Sequence, residues 1–118
     1  MTDPTTDIGF VITKPPLETG AVAGVLRTAL DAVNDGRSVG LFLISDGVWL
    51  AKAGQENKAF TLFNELLGKG VSVTASGDHL LAAGIPEDGV VEGVEVTRKP
   101  YKALVATVMD DWWKVMVI

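Results

Sequence analysis

Cysteine is absent from the 118-residue sequence. Its absence excludes disulfides, thiolate catalysis and cysteine-ligated metals together. The chain has one histidine and no HxxH or DxD pairing, so the sequence predicts no transition-metal site. Gly20 and Gly24 do not form a GxGxxG fingerprint. No cofactor is therefore expected, although a flavin or nucleotide at a sheet edge stays an open alternative.

Basic residues are also few. Ten Lys and Arg stand against fifteen Asp and Glu, which gives a net charge of −5. Because Lys and Arg carry phosphate binding, we expect no nucleic-acid binding by this chain alone. No apolar run is long enough for a membrane span, and the polar start MTDPTTD does not resemble a secretory signal. A cytoplasmic protein is expected.

Apolar residues make up 47% of the chain, which suits a single domain over residues 1–118 with one buried core. We expect residues 1–7 to be flexible. Hydrophobic patterning then predicts elements along the whole chain. The predicted strands cover residues 8–13, 39–44, 71–75 and 112–118, and the predicted helices cover 21–34, 55–67, 78–83 and 101–110.

Two segments are less regular. Residues 90–97 alternate and are either a strand or an extended loop, and in the helix after them Leu104, Val105 and Val108 are expected to face inward. The order of the elements predicts an α/β fold. It is a three-layer, flavodoxin- or Rossmann-like sandwich with a mainly parallel five-stranded sheet.

Polar residues follow two of the predicted strands. The carboxyl ends of parallel strands meet at one sheet edge, where sites form in open α/β sheets. The ligand-binding candidates are therefore the residues just beyond the second and third strands: Ser45, Asp46, Gly47, Ser76, Gly77 and His79. The structural alternative is that Ser45-Asp46-Gly47 is a turn with glycine at positive φ, and that Ser76 or Asp78 caps the short helix.

A serine hydrolase is a weaker interpretation of Ser76, Asp78 and His79. Neighbouring residues in sequence cannot easily form a triad, because the base must be oriented by a third group from elsewhere. The G-x-S-x-G elbow is missing as well, since residue 74 is threonine.

The chain resembles the DsrE/DsrF-like sulfur-relay family, which includes subunits of the tRNA-thiolation relay and of the dissimilatory sulfur-oxidation relay. Four stretches carry the resemblance. They are the opening strand and helix up to Asp35-Gly36, the strand 40–44 with its exit Asp46-Gly47-Val48, the segment Val71–Gly84, and the closing segment Met109–Ile118. The resemblance implies a DsrE-like fold.

Sulfur-carrying members of that family place a reactive cysteine just after the third strand, with a glycine eight residues on. Ser76 and Gly84 stand at that spacing. The resemblance therefore implies a member that lacks the reactive cysteine, a non-catalytic or accessory subunit and not a sulfurtransferase. A natural serine and an engineered replacement are both compatible with one sequence. The alternative is a small-ligand-binding domain or sulfurtransferase-like enzyme that uses the crevice at the strand ends.

Three tryptophans are candidates for a subunit interface: Trp49, Trp112 and Trp113. Adjacent residues of a strand point to opposite faces, so one of Trp112 and Trp113 should reach the core. The resemblance implies a homo-oligomer, a trimer or hexamer, or association with sulfur-relay partner subunits.

Overall fold

The computed structural model of the protein describes residues 4–17 and 20–118. Within these residues five strands form one sheet, and all pairs are parallel, in the order β4-β3-β2-β1-β5. The strands are β1 (Thr6–Ile12), β2 (Val39–Leu43), β3 (Ser72–Ser76), β4 (Glu95–Thr97) and β5 (Trp112–Val117). The predicted α/β sandwich with a five-stranded parallel sheet is confirmed.

Helices connect the strands. They are α1 (Ala21–Asn34), α2 (Lys58–Gly68), α3 (Gly77–Ala82) and α4 (Pro100–Ala106), with 3-10 turns at Ser45–Ala51 and Glu87–Gly89 and a π-helical turn at Thr107–Asp111. The apolar stripe of α1 predicts its bounds correctly. The second long helix begins at Lys58 and not at residue 55, because Asn57 caps it: the Asn57 side chain accepts a hydrogen bond from the Phe60 N–H at 2.8 Å.

The core is divided between the two faces of the sheet. On one face, inward residues of β1, β2 and β3 pack against α1, α2 and α3, with Phe10, Leu26 and Phe63 almost fully buried. On the other face a smaller cluster of Val11, Phe42 and Trp112 packs against Ala103, Leu104 and Val108 of the segment that begins with α4. One helical segment thus covers this second face.

Three expectations differ from the structure. β1 begins at Thr6, two residues before the predicted start of this strand; residues 1–3 of the expected flexible start lie outside the described part of the chain. Val105 is 63% exposed and does not face inward. The segment 90–97 forms a strand over Glu95–Thr97 alone, while Val90 makes an isolated bridge to Lys52.

Across residues 4–17 and 20–118, no helix combines the length and the apolar character that crossing a membrane requires.

Candidate functional site

The ends of β2, β3 and β4 meet at one edge of the sheet. Leu43 of β2 pairs with Ala75 of β3, and Ser76 pairs with Thr97 of β4. Because all three strands run in the same direction, the segments that leave them emerge together. Ser45 and Asp46 therefore leave the sheet on the same edge as Ser76.

A cavity of about 440 Å³ lies at this edge and is called the edge cavity below. Its lining residues come from the 3-10 turn after β2 and from α3, and they are Ser45, Asp46, Trp49, His79, Ala82 and Ala83. Ser45 and Asp46 are exposed, whereas Trp49 and His79 are half-buried. The cavity thus combines a hydroxyl, a carboxylate, an imidazole and an indole, a set that can bind a small polar molecule.

The turn that carries Ser45 and Asp46 has a strained start. Ser45 has a φ of 51° and is the non-glycine residue at positive φ among those described. The expectation of positive φ at a glycine in this turn is wrong. Gly47 is needed for another reason, since an ideal Cβ there would lie 1.9 Å from the carbonyl oxygen of Ile12. Backbone strain in a non-glycine residue is common beside functional sites.

Ser76 does not line the edge cavity. Its side chain is fully buried, at 0% exposure. The Ser76 Oγ accepts a hydrogen bond from the backbone N–H of His79 at 3.3 Å, which makes Ser76 the N-cap of α3. The capping interpretation is therefore confirmed. A buried hydroxyl in this role is not placed to attack a substrate, which argues further against a hydrolase.

Gly77 lies at a close approach of two backbones. An ideal Cβ on Gly77 would fall 2.8 Å from the carbonyl oxygen of Thr97. Gly77 lines a second cavity of about 380 Å³, together with Asp78, Leu80 and Arg98 among others, and not the edge cavity. Of the six ligand-binding candidates, Ser45, Asp46 and His79 line the edge cavity. Gly47, Ser76 and Gly77 do not line it.

The neighbouring strands β3 and β4 continue into helices on opposite faces of the sheet, so a crevice lies between their carboxyl ends. The chain leaves β3 through α3 on one face and leaves β4 through α4, which covers the other face. Ligands of open α/β sheets bind in such crevices. Here His79 of α3 and Tyr101 of α4 meet across it, with perpendicular rings 6.1 Å apart and the Tyr101 Oη 3.5 Å from the His79 Nε2.

The other ring nitrogen of His79 is unsatisfied. Nδ1 is buried and has no hydrogen-bond partner within the described residues. Buried polar atoms are rarely left in that state, and each one needs an explanation such as a bound water, ion or ligand. His79 thus directs its Nε2 toward the Tyr101 hydroxyl, while its Nδ1 is enclosed by protein without a partner among the described residues.

Two archaeal proteins are similar in sequence. The uncharacterized protein MK0008 of Methanopyrus kandleri is 38% identical over 93 residues, which are 75% of this chain and 77% of that protein. The uncharacterized protein MJ0989 of Methanocaldococcus jannaschii is 31% identical over 90 residues, which are 73% of this chain and 79% of that protein. The chain belongs to the family of these two proteins. No protein-family model matches it.

Solved structures share the fold. The ychN protein from E. coli matches with a TM-score of 0.77 at 22% identity, covering 96% of this chain and 99% of that one. MTH1491 from Methanobacterium thermoautotrophicum, a protein of unknown function, matches with a TM-score of 0.70 at 21% identity, covering 92% and 98%. The fold is therefore the DsrE-like one that the resemblance implied.

The three tryptophans of this chain have different surroundings. Trp112 is buried, at 7% exposure, and Trp113 is 67% exposed, as the alternation along a strand predicts. Trp49 lines the edge cavity, a position that its sequence context did not indicate. No sequence pattern predicts Tyr101 as a site residue, because its contact with His79 depends on where α4 lies after β4.

Proposed function

We propose that this protein is a sulfur-relay-type member of the DsrE-like group and acts as an accessory, non-catalytic subunit in the cytoplasm. The observation that supports the proposal is Ser76. It stands at the end of β3, where the resemblance puts a reactive cysteine, and its hydroxyl is used as a helix cap. The protein keeps the fold of a relay subunit without a sulfur-carrying atom.

In persulfide relay, a thiolate attacks the outer sulfur of a donor persulfide, takes that sulfur and releases the donor thiolate. The next acceptor thiolate then attacks the transferred sulfur. The chain has no cysteine. The Ser76 oxygen cannot hold a transferable sulfur, and its complete burial also keeps a donor protein away from it. The role left for such a subunit is structural, in an assembly whose other members carry sulfur.

Incubation with glutathione persulfide, followed by desalting and intact-mass measurement, tests the non-catalytic assignment. We expect no covalently added sulfur. The variant Lys58→Cys is the positive control, because residue 58 is exposed and its thiol should gain a persulfide sulfur. A mass increase by one sulfur atom in the cysteine-free protein would contradict the proposal.

The same proposal includes a homo-oligomer, a trimer or hexamer, or assembly with relay partner subunits. Large apolar side chains remain exposed in the single chain, among them Trp113 at 67%, Val117 at 68% and Met109 at 72%. Such surface commonly marks an interface. Light scattering at micromolar concentration should return a multiple of the 12.5 kDa subunit mass. A mass of one subunit would remove the homo-oligomer from the proposal.

A second candidate function is the binding of a small polar ligand in the edge cavity. Two observations on residues that line the cavity favour it: Ser45 has a positive φ, and the buried Nδ1 of His79 has no hydrogen-bond partner among the described residues. Asp46 would accept a hydrogen bond from an amine or amide, and the Trp49 indole would cover its apolar part.

NMR titration with small amines and amides tests this second function. A ligand in the cavity should shift the signals of the Trp49 indole N–H and of the His79 ring together. Asp46→Asn is the matched variant, because it keeps the shape of the side chain and removes the charge. If no compound shifts both signals at millimolar concentration, the second candidate function is excluded for this class of ligand.

A further inference from the structure

β5 is the lateral edge strand of the sheet, with β1 on one side and no strand of the described chain on the other. It is unusually apolar for an edge strand. Its residues Trp113, Val115, Met116 and Val117 are 67%, 38%, 48% and 68% exposed. Lys114 is the one charged residue of segment 112–118, in a chain with 25 charged residues. An edge of this kind is a template for pairing with another strand.

The opposite edge of the sheet is protected in the usual ways. β4 has three residues, Glu95–Thr97, and begins with a charged side chain. Arg98 follows β4, and its Nη2 lies 3.7 Å from the Glu87 Oε1. Short edge strands with charges nearby resist pairing with another chain. Of the two edge strands, β5 is therefore the one that is open to pairing with another strand.

The backbone of β5 presents a regular row of groups to the outside. Ile118 donates its N–H to the Val11 carbonyl and accepts from the Thr13 N–H, so both of its polar groups face β1. Along a strand the direction of these groups alternates with each residue. The N–H and C=O groups of Trp113, Val115 and Val117 therefore point away from β1, where no strand of the described chain lies.

We propose that β5 pairs in antiparallel orientation with β5 of a second copy of this chain, about a two-fold axis at Val115. This inference rests on the proposed homo-oligomer in its hexameric form, because a closed trimer has no two-fold axis, and it names one interface of that hexamer. The pairing joins two five-stranded sheets into a continuous one. It brings the apolar side chains of the two strands into cross-strand contact and completes the hydrogen bonds of the outward row.

The register follows from charge and backbone direction. With Val115 opposite its own copy, Trp113 lies opposite Val117 of the second copy, and Lys114 lies opposite Met116. The outward-pointing groups then form hydrogen-bonded pairs, and each aromatic residue meets a β-branched one, which is a favourable cross-strand pair. A centre at Lys114 would instead place two ammonium groups opposite each other, which is unfavourable.

A second copy fits the charges of the β5 edge, because the register places Lys114 opposite Met116 and no like charges opposite each other. Each copy has a net charge of −5, so two copies repel each other over most of their surface. The β5 edge has no acidic residue between Trp112 and Ile118. It is therefore a surface on which two acidic chains can approach without carboxylates in contact.

Cysteine scanning tests the register, since the chain has no other cysteine. Two hydrogen-bonded residues in an antiparallel pair have Cα atoms about 5.5 Å apart, within disulfide range. Under mild oxidation Val115→Cys should form a covalent dimer within minutes. Met116→Cys is the matched control on the same strand with similar exposure. Its two copies would lie about 8 Å apart, beyond that range.

A mixed reaction makes the test sharper. Trp113→Cys and Val117→Cys should each remain uncrosslinked alone and should crosslink when mixed. Folding is checked by circular dichroism, and Val115→Cys is a mild change at a partly exposed position. If Met116→Cys crosslinks as fast as Val115→Cys, or if neither crosslinks in a protein of oligomeric mass, the β5 pairing is overturned while the homo-oligomer stands. A single-subunit mass by light scattering would overturn both.

Discussion

The indole of Trp112 occupies the space that a side chain on Gly9 would need. An ideal Cβ on Gly9 would lie 1.9 Å from a carbon of the Trp112 ring, and one on Gly40 would lie 2.7 Å from its Nε1. Gly9 and Gly40 are paired neighbours on β1 and β2. The indole therefore lies flat over two bare stretches of backbone, which explains its 7% exposure.

Replacing Gly9 with alanine should destabilise the fold. The added methyl group would displace the Trp112 ring from its place over the sheet, and overpacking of this kind costs about 1–3 kcal/mol. Gly24→Ala is the control, because nothing lies within 4 Å of a Cβ at that position of α1. It should gain about 0.5–1 kcal/mol from helix propensity. Urea unfolding at equal protein concentration measures both changes, and equal stability of the two variants would contradict this account.

Much of the fold was predictable from local pattern. The stripe of α1 and the apolar run of β2 each repeat with a single period, so their positions follow from the sequence. Val105 shows the limit. It continues the apolar pattern of α4, yet it points to solvent because α4 packs on the sheet through Ala103 and Leu104. Which side of a short apolar helix is inside depends on tertiary packing.

The candidate site was predictable in position and less so in detail. The rule that parallel strands end at one edge brings Ser45, Asp46 and His79 together, and the structure places all three on one cavity. The burial of Ser76 and the contact of Tyr101 with His79 depend on how α3 and α4 lie across the crevice. No periodicity in the sequence encodes that arrangement.

Replacing Ser45 with glycine should stabilise the protein. A non-glycine residue at positive φ costs on the order of 1–3 kcal/mol, and Ser45 has a φ of 51°. Glycine removes this strain but adds entropy to the unfolded chain, of about 0.5–1 kcal/mol. A net gain of about 1 kcal/mol in the free energy of unfolding is expected. Ser45→Ala keeps the strain and should not gain; if both variants gain equally, the strain is not the cause.

Loss of the Asn57 cap should destabilise α2. The Asn57 side chain accepts the Phe60 N–H at 2.8 Å, and removal of such a cap costs about 0.5–2 kcal/mol. Asn57→Ala should therefore lower the free energy of unfolding by about 1 kcal/mol. Asn57→Asp retains an acceptor oxygen and should lose little. Thermal unfolding separates the two variants, and a loss of the same size in Asn57→Asp would point to a role other than capping.

A cysteine in place of Ser76 should react slowly with thiol reagents. The Ser76 side chain is fully buried, so a reagent reaches a thiol there only when α3 opens, and each 1.4 kcal/mol or so of opening free energy slows labelling about tenfold. Lys58→Cys, at an exposed position, is the comparison in the native state. In urea both variants should label at the same rate. Native labelling of Ser76→Cys as fast as that of Lys58→Cys would show that the end of β3 opens readily, and a sulfur donor could then reach this position.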